Sequence, residues 1–78
     1  MHVVLTIKES KHGLWCIWRG SAAIYDNLSY PHAIRLGRAL AREEHARSGI
    51  SVSVEMVSTE FIIELIRFGE MTRSRTAA

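Results

Sequence analysis

The sequence predicts an α+β domain: an antiparallel sheet of four or five strands with one helix packed on one face, in the order βββαββ. Three observations carry that expectation. Residues alternate with a period of two over 3–9 and 50–56, a glycine-first two-residue turn stands at Gly20-Ser21, and apolar residues recur with a helical period over 30–47. A chain of 78 residues has room for one such domain, expected over 1–70, and the polar, basic stretch 71–78 reads as a disordered tail. A domain of this size buries only about 60% of the surface its unfolded chain exposes, so pairing with a second subunit is a natural supplement.

Val3, Leu5 and Ile7 alternate with Val4, Thr6 and Lys8, as in a strand with one buried face. Ser10-Lys11-His12-Gly13 is polar and ends in glycine, which separates that strand from the aromatic and branched run Leu14-Trp15-Cys16-Ile17-Trp18-Arg19. Gly20-Ser21 then folds Ala22-Ala23-Ile24-Tyr25 back on the second strand. With those two loop residues Arg19 opposes Ala22, Trp18 opposes Ala23, Ile17 opposes Ile24 and Cys16 opposes Tyr25. Trp15, Ile17 and Ile24 share one face, and Leu14, Cys16, Trp18, Ala23 and Tyr25 share the other, so both sides of the hairpin are expected to be apolar.

Asp26-Asn27-Leu28-Ser29 punctuates the chain, Ser29 suits an N-cap, and Pro31 suits a first helical turn, where its missing N–H leaves no bond unmade. A helix is predicted from Tyr30 to Arg47, with Ala33, Ile34, Leu36, Gly37, Leu40 and Ala41 on its sheet side and Ser48-Gly49 as its stop. Gly37 costs about 1 kcal/mol against alanine in a helix interior, and the expected reason is close approach to a bulky sheet residue such as Trp15. Ile50 to Met56 alternates cleanly and predicts a strand with Ile50, Val52, Val54 and Met56 inward. From Phe61 to Phe68 the branched and aromatic content argues for a strand, whereas Glu60, Glu64 and Arg67 stand at helical spacing; strand is the favoured reading.

Gly13-Leu14-Trp15-Cys16-Ile17, followed by Ala33-Ile34 and by Ala39-Leu40-Ala41-Arg42 on the helix, resembles a family of small uncharacterised bacterial domains over about residues 3–57. Those domains have strands, one alanine- and arginine-rich helix and further strand. The resemblance implies that fold and no chemistry. Beyond Val57 the chain departs from it, with a more apolar segment in place of a polar final turn and strand.

The chemistry-bearing residues form no catalytic or metal-binding pattern. His2, His12, His32, His45 and Cys16 do not form the two short-spaced pairs a metal site uses, so no metal and no cofactor is expected. Cys16 stands mid-strand between Trp15 and Ile17, without a cationic neighbour to favour a thiolate, and reads as inert packing. The glycines at 13, 20, 37, 49 and 69 are isolated and build no phosphate loop. A lone cysteine also excludes an intrachain disulfide, which together with the lack of a charged, apolar leader points to a reducing, cytoplasmic setting. No apolar run approaches the roughly 20 residues that span a bilayer, so no membrane partner is expected.

Two surfaces remain as expectations. A single helix covers one side of a sheet, so the other apolar side should be buried by a second copy. Trp18, Tyr25, Ile62, Ile66 and Phe68 are the expected contact of that homodimer, and the protein reads as a non-enzymatic interaction module. The alternative uses Arg35, Arg38 and Arg42, which lie within about 60° of one another on the helical wheel and have no carboxylate three or four positions away. Such a stripe suits an acidic protein or the phosphates of nucleic acid, although a net charge of +2 is modest for a dedicated nucleic-acid module.

Overall fold

The chain forms β1 (His2–Lys11), β2 (Leu14–Arg19), β3 (Ala22–Leu28), α1 (Tyr30–Ser48), β4 (Ser51–Val57) and β5 (Ile62–Phe68). The structure is a computed structural model and describes residues 2–11 and 13–69, so the expected tail at 71–78 lies outside the described residues. The element order is the one the alternation and turn signals predict, and the segment ending at Phe68 is a strand.

The sheet order is β3-β2-β1-β4-β5, and its sense corrects one expectation. β1 pairs with β4 in parallel, while its pairing with β2, the β2–β3 pairing and the β4–β5 pairing are antiparallel, so the sheet is mixed. The reason is α1. A helix of 19 residues is about 28 Å long and carries the chain back along the sheet, so the strand after it starts at the same end as β1 and β3. β2 already occupies one edge of β1, and β4 takes the other, with Val3 beside Val52, Leu5 beside Val54 and Ile7 beside Met56.

α1 begins where Ser29 Oγ accepts a hydrogen bond from the His32 N–H at 3.3 Å, with Pro31 in the first turn. It ends where the Gly49 N–H donates to the His45 carbonyl at 2.8 Å in a left-handed cap. Its sheet side is built from small residues: Ala33, Gly37 and Ala41 are buried, flanked by the partly buried Ile34, Leu36 and Leu40. They meet Leu5, Ile7, Ile17, Val52 and Val54, each at most 1% exposed, which form the centre of the core. Gly37 approaches Ile7 and Val54 rather than the expected Trp15. Trp15 packs instead near the start of the helix, its ring centroid 4.8 Å from that of Tyr30.

The edge strand β3 runs further than the alternation predicts and is irregular. Arg19–Ala22 and Trp18–Ala23 pair as the turn dictates, but a bulge at Ile24 places Tyr25 opposite Ile17. A second irregularity precedes Leu28, where Asn27 adopts φ 58° and its N–H is accepted by Asp26 Oδ1 at 2.7 Å. At the opposite edge, Ser58 organises the β4–β5 turn, its Oγ accepting from the N–H groups of Glu60 and Phe61 at 3.1 and 3.2 Å.

Candidate anion-binding groove between α1 and β5

The register of β5 decides which side chains stand under the helix. Phe68 pairs with Val52, Ile66 with Val54 and Ile63 with Met56, which places these three on the α1 side. Ile62, Glu64 and Arg67 pair with Val57, Glu55 and Ser53 and take the other side. A bulge at Leu65 lets Leu65 and Ile66 both pack against the core cluster.

The five residues expected to form one dimer contact therefore do not share a face. Trp18 and Ile62 lie on the side away from α1, three strand spacings apart, roughly 14 Å. Tyr25 shares a register position with Ile17, and Ile66 and Phe68 lie under the helix. The side away from α1 is also less apolar than the alternation suggests. Lys8 Nζ stands 4.9 Å from the centroid of the Trp18 ring, the Trp18 indole N–H donates to Cys16 Sγ at 3.1 Å, and the thiol is 3.4 Å from the Lys8 carbonyl. Further along, the two ring nitrogens of His2 lie 2.6 Å from Ser51 Oγ and 3.0 Å from Ser53 Oγ.

Arg35, Arg38 and Arg42 are exposed and lie along the flank of α1 that faces β5, not directly opposite its buried side. With Ala39 between them and Ile66 and Phe68 as a floor, they line a groove of about 440 Å³. Two of the expected dimer residues and all three of the expected anion-binding residues thus meet at one place. Ala39 keeps the wall low, and the three exposed arginines stand beside the apolar floor. Phe68 is held from behind by His45, the rings 6.5 Å apart and 22° from parallel. His45 is itself fixed: its Nδ1–H donates to the Ile50 carbonyl at 2.9 Å.

Among the described residues, charge pairing takes place away from this stripe. Arg19 forms a two-pronged bond to Glu44, at 3.2 and 2.6 Å, and Arg67 a similar one to Glu64, at 3.0 and 2.7 Å. Hydrogen bonding to Arg19 pulls the Glu44 carboxyl below the usual carboxylate range, against the opposing effect of burial; Arg67 does the same to Glu64. Neither Arg35, Arg38 nor Arg42 has an ion-pair partner among the described residues. The Arg19–Glu44 pair is one that sequence spacing misses, because the partners are 25 positions apart.

A second concavity of about 440 Å³ opens at the C-terminal ends of β1 and β4, lined by residues that include Lys8, Glu9, Lys11, Trp15 and Thr59. Its charges are mixed, and Lys8 is engaged with Trp18. Among the described residues no group of three or more His, Cys, Asp or Glu side chains is placed to hold a metal ion. No helix among them is long and apolar enough to cross a membrane. Comparison with protein-family models, with curated proteins and with solved structures found no match to this chain.

Proposed function

We propose that the protein is a non-enzymatic interaction module and that the groove between α1 and β5 is its working surface, taking an anionic partner. The observation that supports this reading is the set of three arginines without ion-pair partners among the described residues, set over the apolar floor of Ile66 and Phe68. A guanidinium cluster beside apolar surface attracts an anion in water and releases its counter-ions on contact. An acidic segment of a protein and the phosphates of nucleic acid both meet that requirement. The test is binding of dye-labelled polyglutamate and polyuridylate to the full chain, followed by anisotropy over a salt series. The reading expects affinity that falls steeply with salt and that is lost when Arg35, Arg38 and Arg42 are all changed to Ala. Binding of neither probe at low salt overturns it.

Self-association is a second reading, supported by the start of β5. Phe61, just before this edge strand, and Ile62 and Ile63, its first two residues, are 46%, 66% and 43% exposed, which is apolar surface that a second copy would cover. Sedimentation at micromolar concentration should then give twice the mass of one chain, and Ile62→Glu should restore the monomer. A monomer at all concentrations rules the homodimer out.

A further inference from the structure

β5 has β4 on one side and no strand on the other among the described residues, so backbone N–H and C=O groups along its outer edge lie open beside the arginine groove. We propose that this edge accepts an extended acidic peptide as a sixth strand, its backbone pairing with Ile66, Arg67 and Phe68 and its alternate side chains carrying carboxylates to Arg38 and Arg42. This inference rests on the anion-binding reading of the groove and specifies its ligand.

The spacing fits. Residues on one face of a strand recur every 6.6 Å or so, and Arg38 and Arg42 are one helical turn apart, about 6 Å along the axis of α1. β5 runs in the same sense as α1, because β4 returns against the helix and β5 returns against β4. A strand laid on its edge therefore tracks the arginine stripe instead of crossing it. Carboxylates at alternate positions meet successive guanidiniums, and their methylene groups rest on Ile66 and Phe68. Arg35 extends the stripe by a further turn for a longer segment.

Two alternatives fit less well. Nucleic acid cannot use an open strand edge, and it favours aromatic faces for its bases, whereas Phe68 is half-buried and already stacked on His45. A second copy pairing through Ile66–Phe68 about a two-fold axis would bring both helices to the same side of the joined sheet. Two arginine stripes would then face one seam with nothing to neutralise them. The other edge, β3, is broken by its bulge at Ile24 and by Asn27, and it offers no cationic stripe.

The experiment uses the full chain and three labelled probes: a short peptide alternating glutamate with valine, the same peptide with every second backbone amide N-methylated, and polyuridylate. The unmodified peptide should bind with strong salt dependence and protect the amides of residues 66–69 from hydrogen exchange. N-methylation keeps the charge but removes strand bonds, and should weaken binding roughly tenfold or more. Arg38→Glu with Arg42→Glu should abolish binding; both positions are exposed, and circular dichroism verifies that the variant is folded. Equal, salt-dependent binding of both peptides overturns strand addition while leaving an anion groove in place. Binding of polyuridylate alone overturns the peptide in favour of nucleic acid. Binding of no probe removes both this inference and the reading beneath it.

Discussion

Ile7 occupies the space that a side chain on Gly37 would need: a Cβ there would stand 3.1 Å from Ile7 Cδ1 and 3.4 Å from Val54 Cγ1. The helix lies this close because its contact side is made of alanine and glycine, and the closeness lets a single helix bury Leu5, Ile7, Val52 and Val54 of the central strands.

Gly37→Ala gains about 1 kcal/mol of helix propensity but presses on the fully buried Ile7, which has to shift by a few tenths of an ångström to make room. The single substitution should therefore lower stability. Ile7→Val, costing about 0.5–1.5 kcal/mol alone, removes the Cδ1 methyl, and in that background Gly37→Ala should raise stability. Urea unfolding of the four proteins measures the coupling. Additive effects would mean that the two residues do not compete for this space.

Glu44→Gln tests the clasp between β2 and α1. The native carboxyl is held below its ordinary range by Arg19, so its contribution is complete above the unfolded-state value and disappears as pH falls through the depressed native value. The variant should be less stable than the parent near neutral pH and equal to it in strong acid. A gap that stays constant down to acid pH would show that the ion pair is not its source.

Gly69 adopts φ 107°, and a Cβ on it would stand 2.8 Å from Ser51 Cα, a backbone atom that cannot yield cheaply. Gly69→Ala should cost about 1–3 kcal/mol from the backbone conformation alone. The displacement falls at the end of β5, so hydrogen exchange should quicken at residues 66–68 before it does in β1. Uniform loss of protection across the sheet would contradict a local effect.

His2→Ala should also cost about 1–3 kcal/mol, because Ser53 is fully buried and its hydroxyl then loses its His2 partner. Ser53→Ala introduced on top of His2→Ala removes the orphaned group and should recover part of the loss. Thermal unfolding of the pair decides it, and a second substitution that only adds damage would assign Ser53 another partner.

The strands at 3–9 and 50–56 and the helix with its cap at Ser29 were legible because their signals are local: a period of two, a period of 3.6, a hydroxyl before a proline. The turn at Gly20-Ser21 fixed Arg19–Ala22 and Trp18–Ala23 for the same reason. Local signals also set the limit. One extra residue at Ile24 moves Tyr25 to the face of Ile17, and nothing in the alternation announces a bulge. The parallel β1–β4 pair escaped a reading built from hairpins, because its sense is set by the helix between β3 and β4.

The groove was half legible. The clustering of Arg35, Arg38 and Arg42 follows from helical geometry and from the carboxylates missing at neighbouring turns. That Ile66 and Phe68 would lie beneath them depends on which strand β5 joins and on the register of that pairing. Both are set by contacts distant in sequence, and composition carries no trace of them. The pairing of Glu44 with Arg19 was hidden in the same way.

The central strand β1 and its parallel neighbour β4 belong to widely separated stretches of polypeptide: His2 and Ser51 are neighbours although 49 positions divide them. Closing a loop that long costs chain entropy before any contact offsets it, so the pairing of β1 with β4 has to wait for most of the intervening sequence. Folding should accordingly be slow for so small a protein, and a nascent chain stalled short of Val57 should stay open to proteases on the ribosome.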